Sequence, residues 1–334
     1  MTIPGAVEYR LVADVGGTNT RLALFDPATE ALRALHTYKN RDHTGLEDII
    51  GLWLASLDEP APHTCCIAAA APPSGNDQVT MINIGWSFSC EALARRFNFS
   101  SIRWLNDFQA NAHALPHLAK GDSVLLHAGQ PRDGGKLAIM GPGTGLGGAT
   151  LERVEGSPRA GDSEPGHMGL APANELELEI FRLLLPRHGE VYAELLVSGP
   201  GLERLHEVLA KIRGETAQQL AAAEIANRAL RSEDDLCVLA LDTFCGLLGS
   251  ACGDFVLANG AYGGLYLAGG IIPRMIPFLR NSTFEQRFRE KGAMARHLAA
   301  VPLHAMTTAA QPGLTGAAHA PLQPPSGATP AAAT

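Results

Sequence analysis

The sequence predicts an α/β protein built by internal duplication, on three observations. Apolar runs of strand length alternate with helix-periodic segments through residues 11–115. A strand, a glycine turn bearing threonine and a returning strand occupy 11–25, and the pattern recurs over 136–154. A third glycine pair, Gly269-Gly270, ends a strand at 263–268.

In chain order, the first strand is 11–15 and its return 21–25. Gly16-Gly17 permits the tight reversal, because glycine reaches positive φ without a Cβ clash. Backbone N–H groups at such a turn can face an anion, and Thr18 and Asn19 add donors. Asp14, just ahead, would repel a phosphate unless a cation lay between them. The stretch therefore reads either as a plain hairpin or as a site for metal-bound phosphate, most simply magnesium with a nucleotide.

A helix is expected over 44–57, with Leu46, Ile49, Ile50, Trp53, Leu54 and Leu57 on one face. Residues 64–71 read as a buried strand, ended by the turn chemistry of 72–77, and 79–84 as a further short apolar stretch. Ser89 is placed to cap a helix reaching Phe97. The strand 101–105 ends at Asn106-Asp107, before a helix over 108–115. Ligands gather at such carboxyl strand ends. On spacing alone Asp107 serves equally as a base or as a helix cap.

The second glycine turn, 141–148, lacks the Gly-Lys-Ser/Thr ending of a P-loop and is followed by a strand, not a helix. Two such turns, one per half, point to a duplicated fold holding phosphates from two sides. Residues 162–172 form a loop containing Glu164-Pro165-Gly166-His167. Asn174 caps a helix, with Glu177 in a capping-box-like position, and Ser198 to Gly201 open another that ends at Gly214. Residues 216–230 read as helical, and a long helix spans 233–259 with Gly246, Gly249 and Gly253 on one side. Glycine costs up to ~1 kcal/mol in a helix interior, so another backbone is expected to approach it closely. Helices at 275–279 and 283–291, a strand at 300–306 and a helix from Pro312 follow. The uncharged stretch 321–334, rich in proline and alanine, is expected to be disordered.

The 334 residues carry a net charge of −8 without any Lys/Arg block, so nucleic acid and anionic membrane are not expected as partners. Residues 1–10 lack a basic segment before an apolar core, and the apolar runs at 65–71 and 265–272 are too short to span a bilayer. Six cysteines without a C-x-x-C pair read as buried free thiols of a cytoplasmic protein.

The ordered set Asp14-Val15-Gly16-Gly17-Thr18-Asn19, Asn106-Asp107, the 141–147 turn and Ala268-Gly269-Gly270-Ile271 resembles the bacterial glucokinase family, within the sugar-kinase, actin and heat-shock-chaperone ATPase superfamily. The resemblance runs from about 11 to 318. It implies a duplicated ribonuclease-H-like (actin-like ATPase) fold with two domains around a central cleft. A small α/β domain over 1–115 would be completed by a C-terminal helix at about 312–320, and a large α/β domain would occupy 116–311.

It also implies a phosphotransferase with an alcohol acceptor, forming glucose 6-phosphate and ADP from D-glucose and ATP with Mg²⁺, in a homodimer. Asp14, Gly16, Gly17, Thr18 and Asn19 would form one phosphate loop, and Gly143, Thr144 and Gly145 the other. Gly269 and Gly270 would lie beside the adenosine. Asp14 would hold magnesium, through water. Asn83, Asn106, Asp107, Glu164, His167 and Glu194 would contact the sugar, with Asp107 taking the proton of the 6-hydroxyl. The 73–75 loop would approach the sugar as well. Without the resemblance, Glu194 is as readily a solvated helix residue and His167 a loop histidine.

Pro165 and Leu170 depart from the family's Gly-Glu-Gly-Gly-His pattern with its following aromatic residue, leaving the fine sugar preference open. The closely spaced cysteines of the related zinc-bearing repressor-and-kinase family are missing, so no structural zinc is expected. Two other readings are a kinase for another hexose, such as fructose or mannose, and a sugar-responsive regulator without phosphotransfer.

Overall fold

The computed structural model describes residues 8–72 and 77–322. The 73–75 loop and residues 323–334 of the expected disordered stretch lie outside them. Residues 8–118, 153–160 and 311–322 form one compact unit, and 119–152 with 161–310 another.

In the first unit, β1 (Arg10–Val15) turns back into β2 (Asn19–Asp26), which pairs antiparallel with β3 (Ala31–Lys39). Helix α1 (Leu46–Ala55) leads to β4 (Thr64–Ala69), parallel to β1. A separate antiparallel pair, β5 (Gln78–Met81) and β6 (Trp86–Ser89), precedes α2 (Cys90–Phe97). Ser89 Oγ caps α2 by accepting the Ala92 N–H at 3.1 Å. β7 (Ser101–Asn106) lies parallel to β4 and runs straight into α3 (Asp107–Ala114). The sheet order is β3-β2-β1-β4-β7. Both faces are covered over β1, β2 and β4, which is why these strands read as continuous apolar runs. Leu11, Ala13, Leu22, Cys65 and Ile67 pack with Ile49, Trp53 and Leu93, while Val12, Ala23, Cys66 and Ala68 pack with Ala110, Leu314 and Ala317.

β8 (Ser123–His127) and β9 (Leu137–Pro142) of the second unit are followed by β10 (Leu146–Val154) and β11 (Ser157–Gly161), of which residues 153–160 are grouped with the first unit. Helices α4 (Glu175–His188), α5 (Ala193–Leu196), α6 (Gly199–Arg213), α7 (Ala222–Leu230) and α8 (Asp235–Asn259) come next. β12 (Gly264–Leu267), α9 (Ile272–Leu279), α10 (Phe284–Arg289), α11 (Ala295–Ala299) and β13 (Leu303–Met306) complete it. The strand order is β11-β10-β9-β12-β13-β8. Its first five positions repeat the order of the other sheet. The senses also match: β10/β9 is antiparallel like β2/β1, while β9/β12 and β12/β13 are parallel like β1/β4 and β4/β7. The duplication expected from two glycine turns is therefore a duplication of whole sheets, with β8 added at one edge.

The chain then returns to the first unit as α12 (Pro312–His319), which packs on α3, β1 and β4. Arg10 Nη1 donates to the carbonyls of Ala317 at 3.2 Å and Ala320 at 2.9 Å, satisfying the helix end that has no intrahelical donors.

Several expectations are corrected. Strands β3, β6, β8 and β11 have no counterpart in the residue pattern. β3 is an edge strand with both faces largely exposed, so it lacks the alternation that marks a half-buried strand. Helix 216–230 begins only at Ala222, where Glu203 Oε1 on α6 accepts the Ala222 N–H at 2.9 Å and sets the start. Helix α8 is long and apolar enough by composition to cross a membrane, unlike the shorter runs noted above, but most of it is buried in its own unit. The approach expected at its glycines comes from α10. A Cβ on Gly249 would lie 2.2 Å from Phe284 O, and one on Gly253 2.5 Å from Phe288 O.

A Cβ on Gly316 of α12 would lie 1.6 Å from Ala110 O on α3, while Gly45 has nothing within 4 Å. Gly316→Ala and Gly249→Ala should each destabilise by about 1–3 kcal/mol in urea unfolding, whereas Gly45→Ala should stay within about 0.5 kcal/mol.

Candidate active site

The first turn joins β1 to β2. Gly16 N–H closes it by donating to Asn19 O at 3.0 Å. Thr18 is exposed at its tip and Asn19 begins β2. Asp14, one residue from the end of β1, pairs with Arg21 across the hairpin at 3.0 Å and keeps 24% of its side chain exposed. Burial raises the Asp14 pKa, and the Arg21 guanidinium pulls it back. Asp14 also lies against the start of α12, where a Cβ on Gly313 would be 2.7 Å from its Cγ. A hard, partly exposed carboxylate suits magnesium held through water, with one oxygen already engaged by Arg21.

One contributor was missed in the sequence. Asn40, after β3, is 5% exposed and holds this turn with three hydrogen bonds. Its Nδ2 donates to Gly16 O at 2.8 Å, its N–H to Thr18 O at 2.9 Å, and its Oδ1 accepts from Thr20 Oγ1 at 2.8 Å. A lone asparagine in a polar stretch carries no motif, so only its burial marks it.

At the end of β7, Asn106 caps α3 with its Oδ1 on the Phe108 N–H at 2.9 Å, while Gln109 Oε1 accepts the Asn106 N–H at 2.8 Å. Asn106 Nδ2 also donates to Ala71 O at 2.9 Å. The cap is thus Asn106. Asp107 is the first residue of the helix, half-buried, with Oδ1 3.0 Å from its neighbour Phe108 N. A carboxylate there is favoured by the positive end of the helix dipole. Asn83 stands exposed on the β5–β6 turn, in a different sheet.

In the second unit, Gly143 N–H closes its turn on Gly145 O at 2.7 Å, and Gly143 O accepts from Gly199 N–H at 2.8 Å. Thr144 is exposed at the tip. Glu194 Oε2 accepts the Leu146 N–H at 2.8 Å and passes between Gly145 and Gly166. A Cβ at those two positions would be 2.5 and 3.0 Å from that oxygen. The loop of Glu164 and His167 thus meets Glu194, and both loop residues are exposed. His167 also faces Tyr192, ring centroids 5.6 Å apart. The departures Pro165 and Leu170 are buried, so they pack inward. Gly269, at φ 88°, and Gly141 let two strand ends meet. A Cβ on Gly141 would sit 2.1 Å from Ala268 O, and one on Gly269 2.3 Å from Pro142 O.

Two other reactive sets are spoken for. Burial pushes all six cysteine thiols up, so none is a ready nucleophile. His206, Asp234 and Cys237 cluster with their donor atoms within 4.8 Å. Asp234 there caps α8, accepting from Leu236 N–H at 2.9 Å and Cys237 N–H at 3.1 Å, and Arg228 lies 4.0 Å from its other oxygen, where a cation would sit.

A model of the family described as Glucokinase matches residues 11–324. The chain belongs to the glucokinase family. It is accordingly a sugar kinase, a phosphotransferase with an alcohol acceptor. A glucokinase of Chromobacterium violaceum is 42% identical over 309 residues, covering 92% of this chain and 88% of that one. The crystal structure of a glucokinase from an Antarctic psychrotroph superposes with a TM-score of 0.85 at 38% identity, covering 94% of this chain and 98% of that one. A glucokinase of Streptomyces griseus, solved with glucose and AMPPNP, shares the fold at a TM-score of 0.63 and 17% identity, covering 93% and 98% of the two chains. The actin-like ATPase fold expected from the resemblance is thereby shown.

His113 lies buried on α3, the helix that carries Asp107. Burial, and then the positive Arg103 and His117, push its pKa down to about 4. The unfolded chain therefore binds this proton more readily than the folded one. The stabilisation is complete above the unfolded pKa of about 6.5 and is lost as pH falls towards the folded value. Urea unfolding should show a loss of about 3 kcal/mol over that interval, flattened in His113→Gln.

Proposed function

We propose that this glucokinase-family chain transfers the terminal phosphoryl group of ATP to the 6-hydroxyl of D-glucose, giving glucose 6-phosphate and ADP. The observation that carries the reading is the end of β7, where Asp107 opens α3 beside its cap Asn106, in a chain of this family. The two compact units support a reading of a small and a large domain.

Phosphoryl transfer asks the protein for alignment, charge neutralisation and a proton acceptor. Asp107 is the acceptor. An ordinary carboxylate suffices, because the 6-hydroxyl becomes acidic as its oxygen bonds to phosphorus. Asn106 spends one hydrogen of its nitrogen on Ala71 O and one lone pair of its oxygen on Phe108 N–H. The Gln109 N–H shares that oxygen in the capping box, so one amide hydrogen is what Asn106 offers a sugar hydroxyl. Asn83, Glu164, His167 and Glu194 are the further sugar contacts. Thr18, Asn19 and their glycine turn, and Thr144 with Gly143 and Gly145, donate to phosphate oxygens, while Gly269 and Gly270 lie beside the adenosine. Asp14 would hold magnesium through water, and the ion would supply charge neutralisation at the phosphates. We assign the protein to the cytoplasm as a homodimer on family grounds.

Asp107→Ala should abolish glucose 6-phosphate formation in a coupled assay while glucose still binds by calorimetry. Near-normal turnover would remove Asp107 from the role of base. Arg21→Met takes away the charge that lowers the Asp14 pKa, so Asp14 should protonate at higher pH. The acid limb of kcat/KM should move upward in pH, and an unmoved limb would show that Asp14 ionisation does not limit the reaction.

A further inference from the structure

Asn40 sits between two exposed cations, Lys39 and Arg41. The residue pairs of β2 and β3 place Lys39 directly opposite Asn19. Lys39, Asn40 and Arg41 line, with Gly17, Thr18 and Asn19, an open cavity of about 500 Å³ in the first unit. His43, Ile84 and Trp86 close its other side. Asp42 lies 3.6 Å from Arg41, and on the far side of the cavity Asp48 lies 3.2 Å from His43 Nδ1. The exposed Arg41–Asp42 pair is one that a phosphate could replace at little cost, since exposed pairs contribute little.

Asn40 itself faces the other way. Its bonds engage the carbonyls of Gly16 and Thr18. Carbonyl oxygens repel a phosphate, so a turn that is to receive one must keep them turned aside before the ligand arrives. A buried amide bonded at both its oxygen and its nitrogen is a rigid means of doing so.

We propose that Lys39-Asn40-Arg41 is a second wall of the phosphate site: Asn40 positions the first turn, and Lys39 and Arg41 bind the terminal phosphates of a nucleoside triphosphate. This rests on the kinase reading above. It gives the site fixed positive charge, in a chain that is acidic overall and lacks a P-loop lysine. Asn40 is a positioning residue, and Lys39 and Arg41 are binding residues.

The test uses the full chain with Asn40→Ala, Asn40→Asp and the double variant Lys39→Met/Arg41→Met. Asn40→Ala should raise KM for ATP about tenfold and leave KM for glucose unchanged. Asn40→Asp should do no better, because a carboxylate sets oxygen against Gly16 O. The double variant should raise KM for ATP and flatten its dependence on salt. Parallel changes in both KM values, or a lowered Tm with unchanged kinetics, would overturn the proposal. Tripolyphosphate binding, read by thermal shift, gives an arm independent of turnover. Wild type should be stabilised and the double variant should not. If wild type binds tripolyphosphate in this way but forms no ADP with glucose, the kinase reading fails and the phosphate wall stands. If variants and wild type respond alike, the phosphate wall fails whatever the turnover.

Discussion

Arg10 and Asp14, four positions apart on β1, meet opposite ends of α12. The Arg10 guanidinium satisfies the carbonyls at the end of that helix, and the Asp14 carboxylate lies against its beginning, at Gly313. The first unit is therefore incomplete until the chain has been made almost to its end. Val12, between the two, packs with Leu314 and Ala317, so without α12 that face of the sheet would keep only α3 as cover. The same strand delivers the first glycine turn. The conformation of that turn and the seating of the last helix thus share one strand, and Asp14 belongs to both.

Support of the functional groups follows one physical pattern in both units. Each glycine turn is closed by its own backbone, and then held from outside by a polar side chain that the turn's sequence does not contain. The Asn40 side chain does this for Gly16, and that of Glu194 for Leu146. Glycines make room for these braces: a Cβ at Gly145 or Gly166 would collide with the Glu194 carboxylate. Buried polar groups carry a penalty unless bonded, so a brace that satisfies both itself and the turn selects one conformation strongly. Asp107 is treated differently. It stands at the start of a helix whose cap is its neighbour Asn106, where the helix dipole favours a carboxylate.

Much of this was legible in the residues. The paired strands around Gly16-Gly17, the buried run ending near Ala69, the caps Ser89, Asn174 and Ser198, and the stop at Gly214 follow from local chemistry and appear where it places them. So does the ordered set of motifs that marks the glucokinase family. β3, β6, β8 and β11 were not legible. Pairing with a neighbouring strand, and not burial of one face, is what makes an edge segment extended, and pairing leaves no period in the sequence. The start of α7 at Ala222 escaped for a related reason, because its first N–H is met by Glu203 from another helix.

The sequence by itself determined the backbone's options. Glycine and threonine at the turns, apolar runs of strand length and capping residues at helix starts act within a few residues, where local sterics and hydrogen bonds decide. Tertiary structure alone decided which distant groups meet. Asn40 reaches Gly16, Glu194 threads between Gly145 and Gly166, and α12 seats against Asp14. These contacts join residues far apart in the chain. Their partners are chosen by sheet order and by the space that missing Cβ atoms leave, neither of which a linear pattern records.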